Sequence, residues 1–162
     1  MASGNGQAKL YAVVRLRGEP RVKGDITDTL RMLRLQKVNH CALVPGGMLG
    51  MVHKTKDHVA YGPVDAATVE ALLRSRGRVT GQRKLTDEWV NKHTGFGDIG
   101  RLATALASGE ITLNKIEGLQ PLFRLHPARK GLPGRGSKDQ VQKGGAVGNW
   151  GEKISELLER MR

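Results

Sequence analysis

Apolar residues alternate with the period of a strand over residues 9–16, KLYAVVRL. Leu10, Ala12, Val14 and Leu16 share one side; Tyr11, Val13, Arg15 and Arg17 share the other. Gly18 and Pro20 close that strand. The period then becomes helical: Ile26, Leu30 and Leu33 line one face, Asp25 is placed as N-cap, and Asp28 follows in the first turn. A second strand is predicted over His40–Val44, stopped by Pro45-Gly46-Gly47, and Met48, Leu49, Met51 and Val52 predict a short second helix. The glycines at the mouth of that helix leave amides that could meet a phosphate. A third strand, His58–Tyr61, completes a β-α-β-α-β unit within the first 62 residues, its helices on one sheet face.

Downstream the pattern is mostly helical. Asp65 caps a helix with Val69, Leu72 and Leu73 inward, and Thr86 caps a short one holding Trp89 and Val90. Residues 98–108 predict a helix with Ile99, Leu102, Ala103 and Leu106 inward and Gly109 as its stop. Leu122–His126 reads as a strand ended by Pro127. Asn149 and Glu152 form a capping-box variant before a helix striped by Ile154, Leu157, Leu158 and Met161. The organisation expected is α+β: a flexible tail over 1–8, a core over 9–62, a helical insert over 63–121, and a strand, basic glycine-rich loop and helix over 122–162. No internal repeat is evident.

Charge changes this picture most. The formal net charge is +12 and the pI near 10.4, with 13 cations against 6 acids in residues 1–81 and 14 against 9 in residues 82–162. An excess spread along the chain fits contact with a polyanion over much of the surface. Residues 122–149 hold Arg124, Arg129, Lys130, Arg135, Lys138 and Lys143 against Asp139 alone, together with six glycines. The second half of this stretch cannot bury enough surface to offset its ordering entropy, so residues 127–148 are expected to be mobile until an anionic partner orders them. Residues 74–84 carry five cations and no acid, more than a helix dipole requires. Aromatics are 4% of the chain, which disfavours a reader of single strands and favours cationic contact with phosphate and sugar.

Other chemistry finds little support. Gly131–Lys138 reads GLPGRGSK, but a phosphate-binding P-loop needs lysine directly after its last glycine, and here Ser137 precedes Lys138. The five histidines form no HxH or HxxxH pair, and Cys41, the single cysteine, reads as a small buried hydrophobe in a reducing, intracellular setting. No cofactor, metal or small-molecule substrate is expected. No apolar run approaches membrane-spanning length, and the opening MASGNGQAKL does not have the pattern of a signal peptide.

The run VNHCALVPGGMLGMVHKTKDHVAYG, residues 38–62, resembles the core signature of the L-thirty family of large-subunit ribosomal proteins. FRLHPARKG at 123–131 and GGAVGNWGEKISELLERMR at 144–162 resemble its long archaeal form, called L-seven in eukaryotes; YAVVRLRG and DTLRMLRL are similar too. Ala128 and Trp150 depart from the family pattern. The resemblance implies a ferredoxin-like half with sheet order third-first-second, a helical insert, no catalysis, and a cytoplasmic seat on the ribosome. It implies 23S-type ribosomal RNA as partner, leaves a 5S RNA contact open, and implies neighbouring large-subunit proteins. The residues selected for RNA contact are Arg15, Arg17, Arg21 and Lys23; Arg74, Arg76, Arg78, Arg83 and Lys84; and Arg129, Lys130, Arg135, Lys138 and Lys143. Two readings compete with this one. A free-standing architectural nucleic-acid binder would need a groove-inserting element, and none is evident. A nucleotide-using enzyme would rest on GLPGRGSK alone.

Overall fold

A computed structural model of the chain describes residues 9–162, so the expected tail over 1–8 lies outside the described residues. Five strands form one mixed sheet: β1 (Leu10–Arg15), β2 (His40–Pro45), β3 (Val59–Pro63), β4 (Leu122–Arg124) and β5 (Gly148–Asn149), in the order β4-β2-β1-β3-β5. The third-first-second arrangement expected for the core is present at the centre. β1 is antiparallel to both β2 and β3, and β5 joins β3 in parallel. The alternation in β1 is buried on both sides, which is why neither of its faces needs polar residues.

On one face lie α1 (Gly24–Met32) and α2 (Leu49–Lys54). Val13, Ala42, Val44, Val59 and Tyr61 pack there against Leu30, Leu33, Leu35 and Val52. The other face is covered by α3 (Ala66–Arg76), α5 (Ile99–Ser108) and α6 (Ile154–Met161), with α4 (Asp87–Thr94) beside them. Leu10, Ala12, Val14 and Leu16 meet Leu72, Leu73, Leu102, Leu106, Leu157 and Leu158 in that larger core. The helical insert thus closes the same sheet as the C-terminal helix.

Caps set these helices where short polar side chains reach orphan amides. Asp65 accepts from Thr68 N at 2.9 Å, Thr86 from Trp89 N at 3.3 Å, and Asp98 from Arg101 N at 2.9 Å. Gly109 ends α5 in the left-handed conformation, φ 82°. Gly62 in β3 has no room for a side chain: a Cβ there would collide with the Gly151 carbonyl and lie 2.9 Å from Ile154 Cβ. The start of α6 is therefore seated directly on the strand backbone.

Four expectations are corrected. Asp25 is not the N-cap of α1; Lys23 holds that position without a side-chain cap, and Asp25 lies in the first turn where its charge meets the helix dipole. Asn149 does not cap α6, because a 3-10 turn, Gly151–Lys153, intervenes; its side chain accepts from Gly151 N at 2.8 Å instead. The strand expected to His126 ends at Arg124, since beyond it only Leu125 N, bonded to Asn39 O at 3.1 Å, continues toward β2. The loop is not without a core: Ala146 and Val147 are 0% and 1% exposed and belong to the larger cluster, held as β5 aligns with β3.

Candidate nucleic-acid interface

Antiparallel pairing brings the end of β1 to the starts of β2 and β3, and hydrogen bonds gather five chain segments there. Asn39 N donates to Arg15 O at 2.7 Å, and Leu16 N to His58 O at 3.0 Å. The Gln140 side chain donates to the Asp57 carboxylate at 2.6 Å, drawing the glycine-rich loop onto the turn before β3. The loop's other side is tied to α6: Arg129 N donates to Arg160 O at 3.0 Å, and the Arg160 guanidinium donates to the carbonyls of Arg129 and Gly131. The exposed cations Arg17, Lys37, Lys56 and Arg124 thus share one sheet end with Arg129, Lys130, Lys138 and Lys143 of the loop. None of these eight has a carboxylate partner among the described ion pairs.

Two histidines register the resulting field. His40 is pushed below the ordinary imidazole value by burial first, then by Arg124, Lys37 and Arg15. His58 is lowered by burial and by Arg17 and Arg15, with Asp57 opposing. Both imidazoles place a buried Nδ1 with no partner. Since the fold disfavours their charged forms, the unfolded chain binds more protons as pH falls through the ordinary value of 6.5. Stability should therefore be full above that value and decline below it, toward the lower folded pKa values. Thermal midpoints at pH 7.5 and 5.5 check this: the acid-side loss should shrink in a His40→Gln, His58→Gln variant, and an unchanged loss would assign it to other groups.

The structure sorts the fourteen selected cations. Arg15 is corrected outright: it is 1% exposed, with Nε donating to Arg17 O at 2.8 Å and Nη1 to the carbonyls of Leu35 and Gln36 at 2.8 and 2.9 Å. Burial lowers its pKa, with Glu19 opposing. It holds the chain leaving α1 against β1 and cannot reach a phosphate. Arg17, Arg21 and Lys23 are exposed. Arg74 is committed to a bridge, Nε to Glu70 at 2.8 Å and Nη1 to Asp87 at 3.3 Å; Asp87 in turn accepts from Ile99 N at 2.9 Å. Arg135 faces Asp139 at 3.5 Å.

Arg76 and Arg78 are half-buried, whereas Arg83 and Lys84 are exposed on a tight hairpin. Val79 N donates to Arg83 O at 2.9 Å, closing a three-residue loop in which Gly81 and Gln82 both take the left-handed conformation, φ 82° and 62°. The hairpin is pinned from outside by Thr80 N to Gly118 O at 2.8 Å and Gln120 N to Arg78 O at 2.9 Å. Lys37, Lys56 and Arg124 escaped sequence reasoning. Arg124 heads the basic stretch 122–149 but was not among the selected residues, and Lys37 and Lys56 lie outside the selected clusters; the pairing of His40 with Arg124 is what sets Arg124 beside Lys37.

Catalytic chemistry has no footing at this end of the sheet. The Cys41 thiol is fully buried and pushed up to about 12 by burial, so it carries no thiolate to react. Among the described residues no three His, Cys, Asp or Glu side chains gather as metal ligands, and no helix is long and apolar enough to cross a membrane.

Comparison with known proteins places this geometry among relatives. The family model described as Ribosomal protein L30p/L7e matches residues 11–59. The chain is 50% identical over 155 residues to the large ribosomal subunit protein uL30 of Methanoculleus marisnigri, covering 94% of this chain and all of that protein. It is 49% identical over 156 residues to the protein of the same name from Methanoregula boonei, and 45% over 155 to that from Methanocorpusculum labreanum, with the same coverage.

Proposed function

We propose, because this chain belongs to the ribosomal protein L30p/L7e family, that it binds and stabilises folded RNA of the large ribosomal subunit, chiefly the 23S-type molecule. Membership makes it a structural ribosomal protein with a role in translation, working in the cytoplasm on ribosomes, and not an enzyme.

One observation carries the RNA reading: the sheet end gathers eight exposed cations without carboxylate partners and depresses two histidines. A folded polyanion relieves that self-repulsion and releases its own counterions on contact. The glycine-rich loop suits close approach to a phosphate backbone, being exposed over Arg129–Lys130 and Gly134–Arg135 and anchored on both sides. The second basic site, Arg83 and Lys84 on their hairpin, extends contact to another element.

Quantitative mass spectrometry of salt-washed large subunits should find one copy per particle. A protein found mostly in the free pool would overturn the assignment. Cross-linking of the same particles should join residues 129–143 to 23S-type RNA, and links from these residues to 5S RNA would add that molecule as a second partner.

A further inference from the structure

The geometry points to a base-stacking site on α4, in which the outward face of the His93 ring, backed by Trp89, takes an unpaired nucleobase. This rests on the RNA reading above and adds to it a contact of a different kind, with a base rather than a phosphate.

Trp89 and His93 lie one turn apart, and their rings are stacked with centroids 4.4 Å apart and planes within 13°. His93 Nδ1 pairs with the Trp89 carbonyl oxygen at 3.0 Å, which fixes the imidazole in this orientation and leaves Nε2 at the outer edge. Trp89 is half-buried beside Gly118, where an added Cβ would lie 3.1 Å from the indole. His93 is exposed, so the stack has one covered end and one open end.

A ring whose orientation is already set loses little freedom when a base lies on it. An aromatic pair one turn apart also steadies an isolated helix, but an apolar aliphatic pair would do that equally well, without a tethered ring turned to solvent. The surroundings favour a nucleotide. Arg83 and Lys84 lead into α4 from the hairpin, Lys92 adjoins His93, and all three are exposed without carboxylate partners among the described ion pairs. Of the acids nearby, Asp87 is occupied by Arg74 and Ile99 N, while Glu88 and Glu117, the latter next to Gly118, are exposed and leave the cations in excess by only one. Phosphates on either side of a stacked base would meet these cations.

The test uses the full chain and purified 23S-type ribosomal RNA. His93→Leu keeps bulk but removes the π-face; it should weaken binding by roughly five- to a hundredfold while leaving the salt slope unchanged, since no phosphate contact is lost. His93→Tyr should restore wild-type affinity. Ultraviolet cross-linking of the wild-type complex should place a nucleotide on the peptide holding residues 88–94. Wild-type affinity in His93→Leu would overturn the inference and assign the stack to a protein neighbour or to α4 itself. A Tyr variant as weak as the Leu variant would overturn it too, by showing that the imidazole's charge or hydrogen bond matters and stacking does not. Failure of the wild-type chain to bind this RNA would instead strike the RNA reading as a whole.

Discussion

Replacing Arg17, Lys37 and Arg124 together by Ala should lower the log–log salt slope of ribosomal RNA binding by about two to three, because each phosphate neutralised contributes roughly 0.7–0.9. The three are exposed and make no ion pair, so the fold should survive. The same variant has a second readout that needs no RNA. Arg124 and Lys37 depress His40, and Arg17 depresses His58, so both imidazoles should titrate at higher pH in the variant, while burial, the larger cause, keeps them below the ordinary value. Nuclear magnetic resonance titration of the histidines reads this directly. Upward shifts with an unchanged slope would show that the field is real but that phosphate docks elsewhere. A triple change of Arg76, Arg78 and Arg83 should act more weakly, lowering the slope by about one, since only Arg83 is fully presented to solvent.

Arg15→Ala should produce the opposite phenotype: a stability loss on the order of 3–5 kcal/mol with the salt slope of the folded fraction retained. The guanidinium satisfies three carbonyls, those of Arg17, Leu35 and Gln36, and truncation leaves them facing a void inside the fold. Arg15→Met, which refills the volume without donors, should recover only the packing part of that loss. Urea denaturation midpoints give the stability and a salt titration gives the slope. A slope lowered by one in Arg15→Ala would return this residue to the RNA-contacting set.

Arg15 also shows where sequence reasoning stops. Alternation correctly placed it beside Val13 on one face of the first strand, yet its charge marked it as a surface residue. What buries it is the pair of carbonyls at Leu35 and Gln36, delivered by the chain leaving α1, a non-local fact that no period reports. The caps at Asp65 and Thr86 and the inward rows of α5 and α6 were legible, because each depends only on residues a turn apart. The glycine-rich loop misled for the converse reason. Two small apolar residues, Ala146 and Val147, look negligible in composition, but parallel alignment with β3 places both in the core. The sheet-end cations divide the same way. Arg124, Arg129, Lys130 and Lys138 fall within a basic run, while the approach of Arg124 to Lys37 comes only when β2 and β4 pair.

The seating of α6 on Gly62 has a consequence for how the molecule is made. α1 and α2 can close their side of the sheet once the first three strands exist, since every buried residue of that cluster precedes Pro63. The opposite side is completed only later: α3 and α5 can cover part of it, but Ala146, Val147, Ile154, Leu157 and Leu158 are synthesised long after the strand they cover. A nascent chain therefore passes through a stage with one finished side and the other only partly covered, the kind of long-range closure that folds slowly and invites aggregation. For a basic chain that emerges from a ribosome, itself a particle rich in RNA, the last strand and helix act as a latch, and its closing marks the moment at which a sticky intermediate becomes a soluble building block.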